Sequence, residues 1–161
     1  MKKILLVLVI ALSSVQFINA QENMMSLELQ AGVPTGSVFS DAFDFGIGAN
    51  FTYYFSEVAE NFHVGARGGY TIFLASESDF IDDFDFVTLA ASGRYGISEN
   101  LFARLDFGYA IGLADEVDGA IFFEPRVGYD TGGFEVSLYY QSIQEDFVNV
   151  NSFGDALGFK F

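Results

Sequence analysis

The chain has 161 residues, 51% of them hydrophobic and 17% aromatic, with a formal net charge of −15 and no cysteine. That acidity excludes nucleic-acid binding through a basic face and attraction to anionic lipid through a basic patch. The missing cysteines exclude a disulfide scaffold and a lipid-anchored lipoprotein, while the apolar share excludes a disordered acidic chain, so acids and apolar residues must be separated in space.

Residues 1–20 read as a secretory signal. Lys2 and Lys3 start it, Ile4 to Leu12 form an apolar run, and small residues lead to cleavage after Ala20. Ile18 stands where a small residue is usual. The run is too short for a membrane-spanning helix. Residues 21–161 then form one domain, with five bases left against 22 acids.

Period-two alternation dominates that domain. It predicts eight strands: Met25 to Val33, Phe43 to Phe55, Phe62 to Leu74, Phe86 to Ile97, Leu101 to Leu113, Gly119 to Tyr129, Phe134 to Ile143 and Asn151 to Phe161. Successive strand residues point to opposite faces. In the fifth segment Leu101, Ala103, Leu105, Phe107, Tyr109, Ile111 and Leu113 share one face, and Phe102, Arg104, Asp106, Gly108, Ala110 and Gly112 the other.

A soluble barrel also alternates, but it would have to pack these large apolar residues inside. A small barrel has no room for seven from each long strand, so the apolar face must point outward. The bases agree: Arg67, Arg94, Arg104, Arg126 and Lys160 all fall on the other face. An Arg or Lys facing lipid at the midplane costs about 2–4 kcal/mol.

Aromatic residues on the apolar face gather at two levels. Phe55, Phe62, Tyr95, Tyr129, Phe134 and Phe161 mark one rim, and Phe45, Tyr70, Tyr109, Phe123 and Tyr140 lie about eight residues further along their strands. That spacing predicts a band roughly 20 Å tall between aromatic girdles. Connections alternate in length, with Pro34 to Ala42 and Ala75 to Asp85 among the long ones and Ser98 to Asn100 among the short. Short turns at the periplasm and long loops outside would make both termini periplasmic. Two residues resist this pattern. Pro125 inside the sixth segment calls for a β-bulge. Asp155 has lipid-facing parity in the last, and a register shift above Leu157 would turn it inward.

The ending Ala156-Leu157-Gly158-Phe159-Lys160-Phe161 resembles the terminal signal of outer-membrane barrels, with Leu157, Phe159 and Phe161 as its matching positions. With the leader and eight segments, the chain is similar to the small porin-family barrels of the OmpX, OmpW and OmpA-transmembrane type. The resemblance implies an eight-stranded antiparallel barrel in the cell outer membrane, built by the barrel assembly machinery. It carries no catalytic residue across.

The predicted inner face holds Arg67, Arg94, Arg104, Arg126 and Lys160 with Glu28, Asp44, Asp106, Glu124 and Glu135. Five against five predicts a salt-bridged filling, since a buried charge needs a partner. A polar path for solutes is the competing reading, and Tyr54, Phe73, Phe102, Phe122 and Tyr139 would obstruct it. The remaining acids gather in the predicted outer loops: Glu77, Asp79, Asp82, Asp83 and Asp85, then Asp115, Glu116 and Asp118, then Glu145 and Asp146. These read as a solvated, repelling surface, with divalent-cation binding as the sharper alternative. The sole histidine, His63, reads as a hydrogen-bonded lumenal residue, and with no cysteine beside it a zinc site has little support. The expectation is a monomeric, non-enzymatic barrel without cofactor, with a structural or interaction role in envelope integrity, adhesion, or cation or partner binding. A narrow transporter of small or apolar solutes, and more remotely a lipid-modifying enzyme, are the alternatives.

Overall fold

Each alternating segment becomes a strand in the computed structural model, which describes residues 25–36, 39–76, 83–113, 119–144 and 149–161. The strands are β1 (Met25–Thr35), β2 (Phe43–Ala59), β3 (Phe62–Ala75), β4 (Phe84–Gly96), β5 (Leu101–Gly112), β6 (Ala120–Asp130), β7 (Phe134–Gln144) and β8 (Asn149–Lys160). One helical turn, α1 (Phe39–Ala42), precedes β2. Each strand pairs antiparallel with the next, and β1 pairs with β8 from Ser26↔Lys160 to Thr35↔Asn151. The sheet therefore closes and leaves no edge. Met25 and Phe161 exchange backbone hydrogen bonds of 3.0 and 3.2 Å at the end of the barrel that holds the described termini.

At that terminal end the strands are joined by residues 60–61, 97–100 and 131–133, and at the loop end by 36–42, 76–83, 113–119 and 145–148. The short links use backbone freedom sparingly. Asn61 takes a left-handed conformation (φ 61°) and donates its N–H to Glu57 Oε1 at 2.9 Å.

Sidedness follows the alternation. On β5, Leu101, Leu105, Phe107, Tyr109 and Ile111 are exposed, while Phe102, Arg104, Asp106 and Ala110 are buried. The same inversion holds for Leu27 and Leu29 against Glu28, and for Phe51 and Tyr53 against Thr52. An apolar belt that runs round a closed sheet has no place in water, and in hydrocarbon the sheet satisfies every strand within itself. No helix among the described residues is long and apolar enough to cross a membrane. Two girdle tyrosines turn their hydroxyls to the loop end: Tyr70 donates to Asp85 at 2.8 Å, and Tyr109 to the Gly119 carbonyl at 2.6 Å.

Three local expectations are corrected. The register slips between Phe43 and Phe45, so Phe43 turns inward and is buried while Asp44 is exposed. Pro125 needs no bulge: Phe123↔Ser142 and Arg126↔Tyr139 belong to one unshifted register, and the β6–β7 ladder merely omits Glu124 and Pro125. Pairing with β5 continues through Leu105↔Pro125. Nor does the register shift near Asp155, which pairs with Ala31 and Leu138 and stays exposed on the outer face.

Candidate functional site: the charged lumen

The strand register sets like charges side by side on the inner wall. Arg94, Arg104 and Arg126 are direct neighbours on β4, β5 and β6, and Asp106 and Glu124 are direct neighbours on β5 and β6. Like charges directly opposite on a sheet repel. Here each row is neutralised along its own strands and from across the barrel. Arg104 Nε donates to Asp106 Oδ2 at 3.1 Å, and Arg126 Nε to Glu124 Oε1 at 2.7 Å.

Glu28, from β1, reaches over the lumen to accept from Arg104 Nη2 at 2.7 Å and Arg126 Nη1 at 3.2 Å. Arg67, from β3, sets its Nη2 3.1 Å from Glu124 Oε1 and its Nη1 3.6 Å from Asp106 Oδ2. Gln30 Oε1 accepts from Asn50 Nδ2 at 2.7 Å and Arg126 Nη2 at 2.8 Å, and Gln141 Nε2 donates to Glu124 Oε2 at 3.0 Å. The side chains of Arg67, Arg104 and Arg126 are fully shielded. Three guanidinium groups thus face the three carboxylates Glu28, Asp106 and Glu124 in a space closed to solvent.

A smaller group lies toward the terminal end. Asp130 accepts from Lys160 Nζ at 2.6 Å and pairs with Arg94, whose Nη2 is also 3.6 Å from Glu135 Oε2. The Arg94 guanidinium lies 4.3 Å from the Phe102 ring centroid, a cation–π contact. His63 is half-buried nearby, its ring edge-on to Tyr54 at 6.4 Å.

Above the charged layer the lumen turns apolar. Phe73, Phe86 and Phe122 are almost wholly buried, and Phe39 of α1 caps them, 4.6 Å from Phe43 and 5.0 Å from Phe73 between ring centroids. Ile143 and Val150 complete this plug. The inward turn of Phe43 is what admits it to the plug.

Nine of the ten residues expected on the inner face are thereby brought together: Glu28, Arg67, Arg94, Arg104, Asp106, Glu124, Arg126, Glu135 and Lys160. Asp44 is the exception. The β2 slip places it at the loop-end rim, exposed, where it accepts from Ser76 Oγ at 3.0 Å. Its place in the charge balance is taken by Asp130, which sequence reading assigned to a turn. The signal was present, because Asp130 continues the lumenal parity of Glu124, Arg126 and Gly128 by one more step.

Of the loop acids, Asp83 Oδ1 accepts from the Ala75 N–H at 2.9 Å and Asp85 from Tyr70. Glu77, Asp79, Asp82, Asp115, Glu116, Asp118, Glu145 and Asp146 lie outside the described residues, as does the leader 1–20. Among the described residues, no three of His, Cys, Asp and Glu converge to hold a metal. Leu157 and Phe159 lie on the outer wall, Phe159 stacked edge-on to Phe134 at 5.1 Å, and Phe161 ends the seam with β1.

No protein-family model matches the chain, and no curated protein does. Solved structures do. The crystal structure of Ail, the attachment invasion locus protein of Yersinia pestis, superposes with a TM-score of 0.59 at 16% identity, covering 85% of this chain and 96% of that one. The crystal structure of the outer membrane enzyme PagL gives 0.61 at 9% identity, covering 84% and 99%. A de novo designed transmembrane β-barrel gives 0.55 at 12% identity, covering 89% and 100%. A protein named for attachment and invasion, an enzyme and a design share this architecture, so the likeness speaks to the fold and not to a task. With an apolar outer belt, an ion-paired lumen and eight antiparallel strands closed by β1 and β8, the chain has the transmembrane barrel fold of small outer-membrane proteins.

Proposed function

We propose that this protein is a monomeric outer-membrane barrel whose interior is structural and whose loop end meets the surroundings. One observation carries the reading: the lumen is filled by two layers, the ion-paired one around Arg67, Arg104 and Arg126 and the apolar one around Phe73, Phe86 and Phe122. Eight strands leave an interior that side chains fill, and here both layers are made of buried side chains. The loop-end connections carry most of the remaining acids.

Charge narrows the kind of contact those loops make. Ail has been described in complex with the heparin analogue sucrose octasulfate, a polyanion. Glu77, Asp79, Asp82, Asp83, Asp115, Glu116 and Asp118 would repel such a ligand and favour divalent cations or a basic partner surface. The terminal residues Leu157, Phe159 and Phe161 serve assembly: the first two are displayed on the outer wall, and the third closes the seam, where the assembly machinery would engage them.

Planar-bilayer recording with the purified, refolded barrel tests the sealed interior, and no conductance step is expected. Stepwise conductance would instead support the transporter. A deletion strain with altered lipid A would favour the lipid-modifying enzyme instead. Replacing the loop carboxylates by amides should weaken calcium binding and sensitise the envelope to chelators, without changing the heat-modifiable gel mobility of the folded barrel. Removal of Phe161 should lower the folded fraction recovered from outer membranes.

A further inference from the structure

Acids on the outer face of the strands are few, and those at the rims have partners. Asp44 accepts from Ser76, Glu57 from the Asn61 N–H, and Asp85 from Tyr70. Asp155 differs in both place and company. It sits mid-strand on β8, exposed between Phe153 and Leu157, and its carboxylate makes no hydrogen bond or ion pair among the described residues. Phe153 and its cross-strand neighbour Tyr140 belong to the loop-end girdle. Two residues further along a strand tilted by roughly 40°, Asp155 lies about 5 Å inside the apolar belt.

The register on both sides is unbroken, so no local slip turns the side chain into the lumen. An ionisable group held toward hydrocarbon is costly, and it marks a contact unless something else matches it. The walls beside it are unequal. Leu138 stands on the β7 side, whereas Ala31 on the β1 side is small, so a long side chain can reach the carboxylate over Ala31.

Among the described residues, a second copy of this chain has no free cation to supply the counter-charge. The five cations of the described residues, Arg67, Arg94, Arg104, Arg126 and Lys160, are all engaged inside the barrel. A lipid ammonium would have to leave the headgroup level and descend past Phe153 and Tyr140. A side chain that approaches laterally, on a long aliphatic stem, meets neither obstacle.

We propose that Asp155 is a lateral docking point for another membrane-spanning protein that presents a lysine or arginine to the barrel wall at this depth. The contact lies on Ala31, Leu138, Phe153, Asp155 and Leu157. It is independent of the loop-end role proposed above.

The test uses the intact barrel in phosphatidylcholine vesicles, labelled through Gly133→Cys in a chain that has no other cysteine. The probe is a dye-labelled polyleucine transmembrane helix carrying one lysine at the matching depth, compared by energy transfer with its all-leucine parent. The lysine helix should associate at least ten-fold more tightly, and Asp155→Leu and Asp155→Asn should each erase the difference while keeping the folded gel mobility. Equal association of the two helices would overturn the proposal, as would a lysine preference that survives in Asp155→Leu. Energy transfer between two labelled barrels that depends on Asp155 would assign the patch to a second copy instead. Loss of the lysine preference on adding phosphatidylethanolamine would assign it to a lipid ammonium. Either result overturns the proposal.

Discussion

Glu28 and Arg104 lie on β1 and β5, 76 residues apart in sequence, and meet across the lumen with Arg104 Nη2 2.7 Å from Glu28 Oε2. Both side chains are shielded from solvent. Removing one partner of a buried pair strands the other charge, at a cost of about 3–5 kcal/mol. Glu28→Gln and Arg104→Met should therefore each lower the unfolding free energy by about that much. The double variant Glu28→Gln with Arg104→Met should lose less than the two singles added together. Urea titration in lipid vesicles, read by gel mobility, measures all three. Additive losses would show that the two residues do not act as a pair.

Asp130 and Asp44 exchange the roles that the predicted segment bounds and register would assign them. Asp130 holds Lys160 and Arg94, whereas Asp44 meets only Ser76 at an exposed rim. Asp130→Asn should lower the urea midpoint clearly, and Asp44→Asn should leave it within error. The reverse order would restore Asp44 to the lumen.

Phe122 and Phe107 are chemically identical and oppositely placed, with relative exposures of 0% and 57%. Phe122→Ala opens a cavity in the apolar plug and should cost about 3–5 kcal/mol. Phe107→Ala removes surface that only lipid touches and should cost much less. Phe107→Arg, by contrast, should cost at least about 2–4 kcal/mol in a bilayer. Equal tolerance of arginine at 107 in bilayers would contradict the lipid-facing belt.

Gly108 of β5 lies against the backbone of β4. A Cβ there would stand 2.0 Å from the Leu89 carbonyl oxygen and 2.5 Å from the Ala90 Cα, both backbone atoms that cannot step aside. A Cβ on Gly133, in the β6–β7 turn, would meet nothing within 4 Å. Gly108→Ala should reduce the yield of compact, heat-modifiable barrel, and Gly133→Ala should not. Comparing the two after identical refolding checks the claim.

Much of the fold was legible because a strand has period two and lipid accepts only one kind of side chain. The outward set on β5 and the inward arginines both follow from that one rule. Local irregularities were not legible. Nothing in the sequence Phe43-Asp44-Phe45 announces a slip, and it reversed both Phe43 and Asp44. At Pro125 and Asp155 the expectation erred the other way, invoking repairs that the ladder does not need. Closure holds the register at both places, because moving one strand would break its pairing with two neighbours.

Within the lumen the division is sharper. Apart from Asp44, the sequence alone determined which face each charge occupies, since parity is a property of the strand and needs no knowledge of its neighbours. Only the closed tertiary structure decided who meets whom. It set Arg94, Arg104 and Arg126 in one row, brought Glu28 to Arg104 and Arg126 from the far wall, and left Asp130 rather than Asp44 among the lumenal acids. The reason is geometric: side chains on opposite walls of a barrel become neighbours through its curvature, and curvature exists only once β8 has found β1.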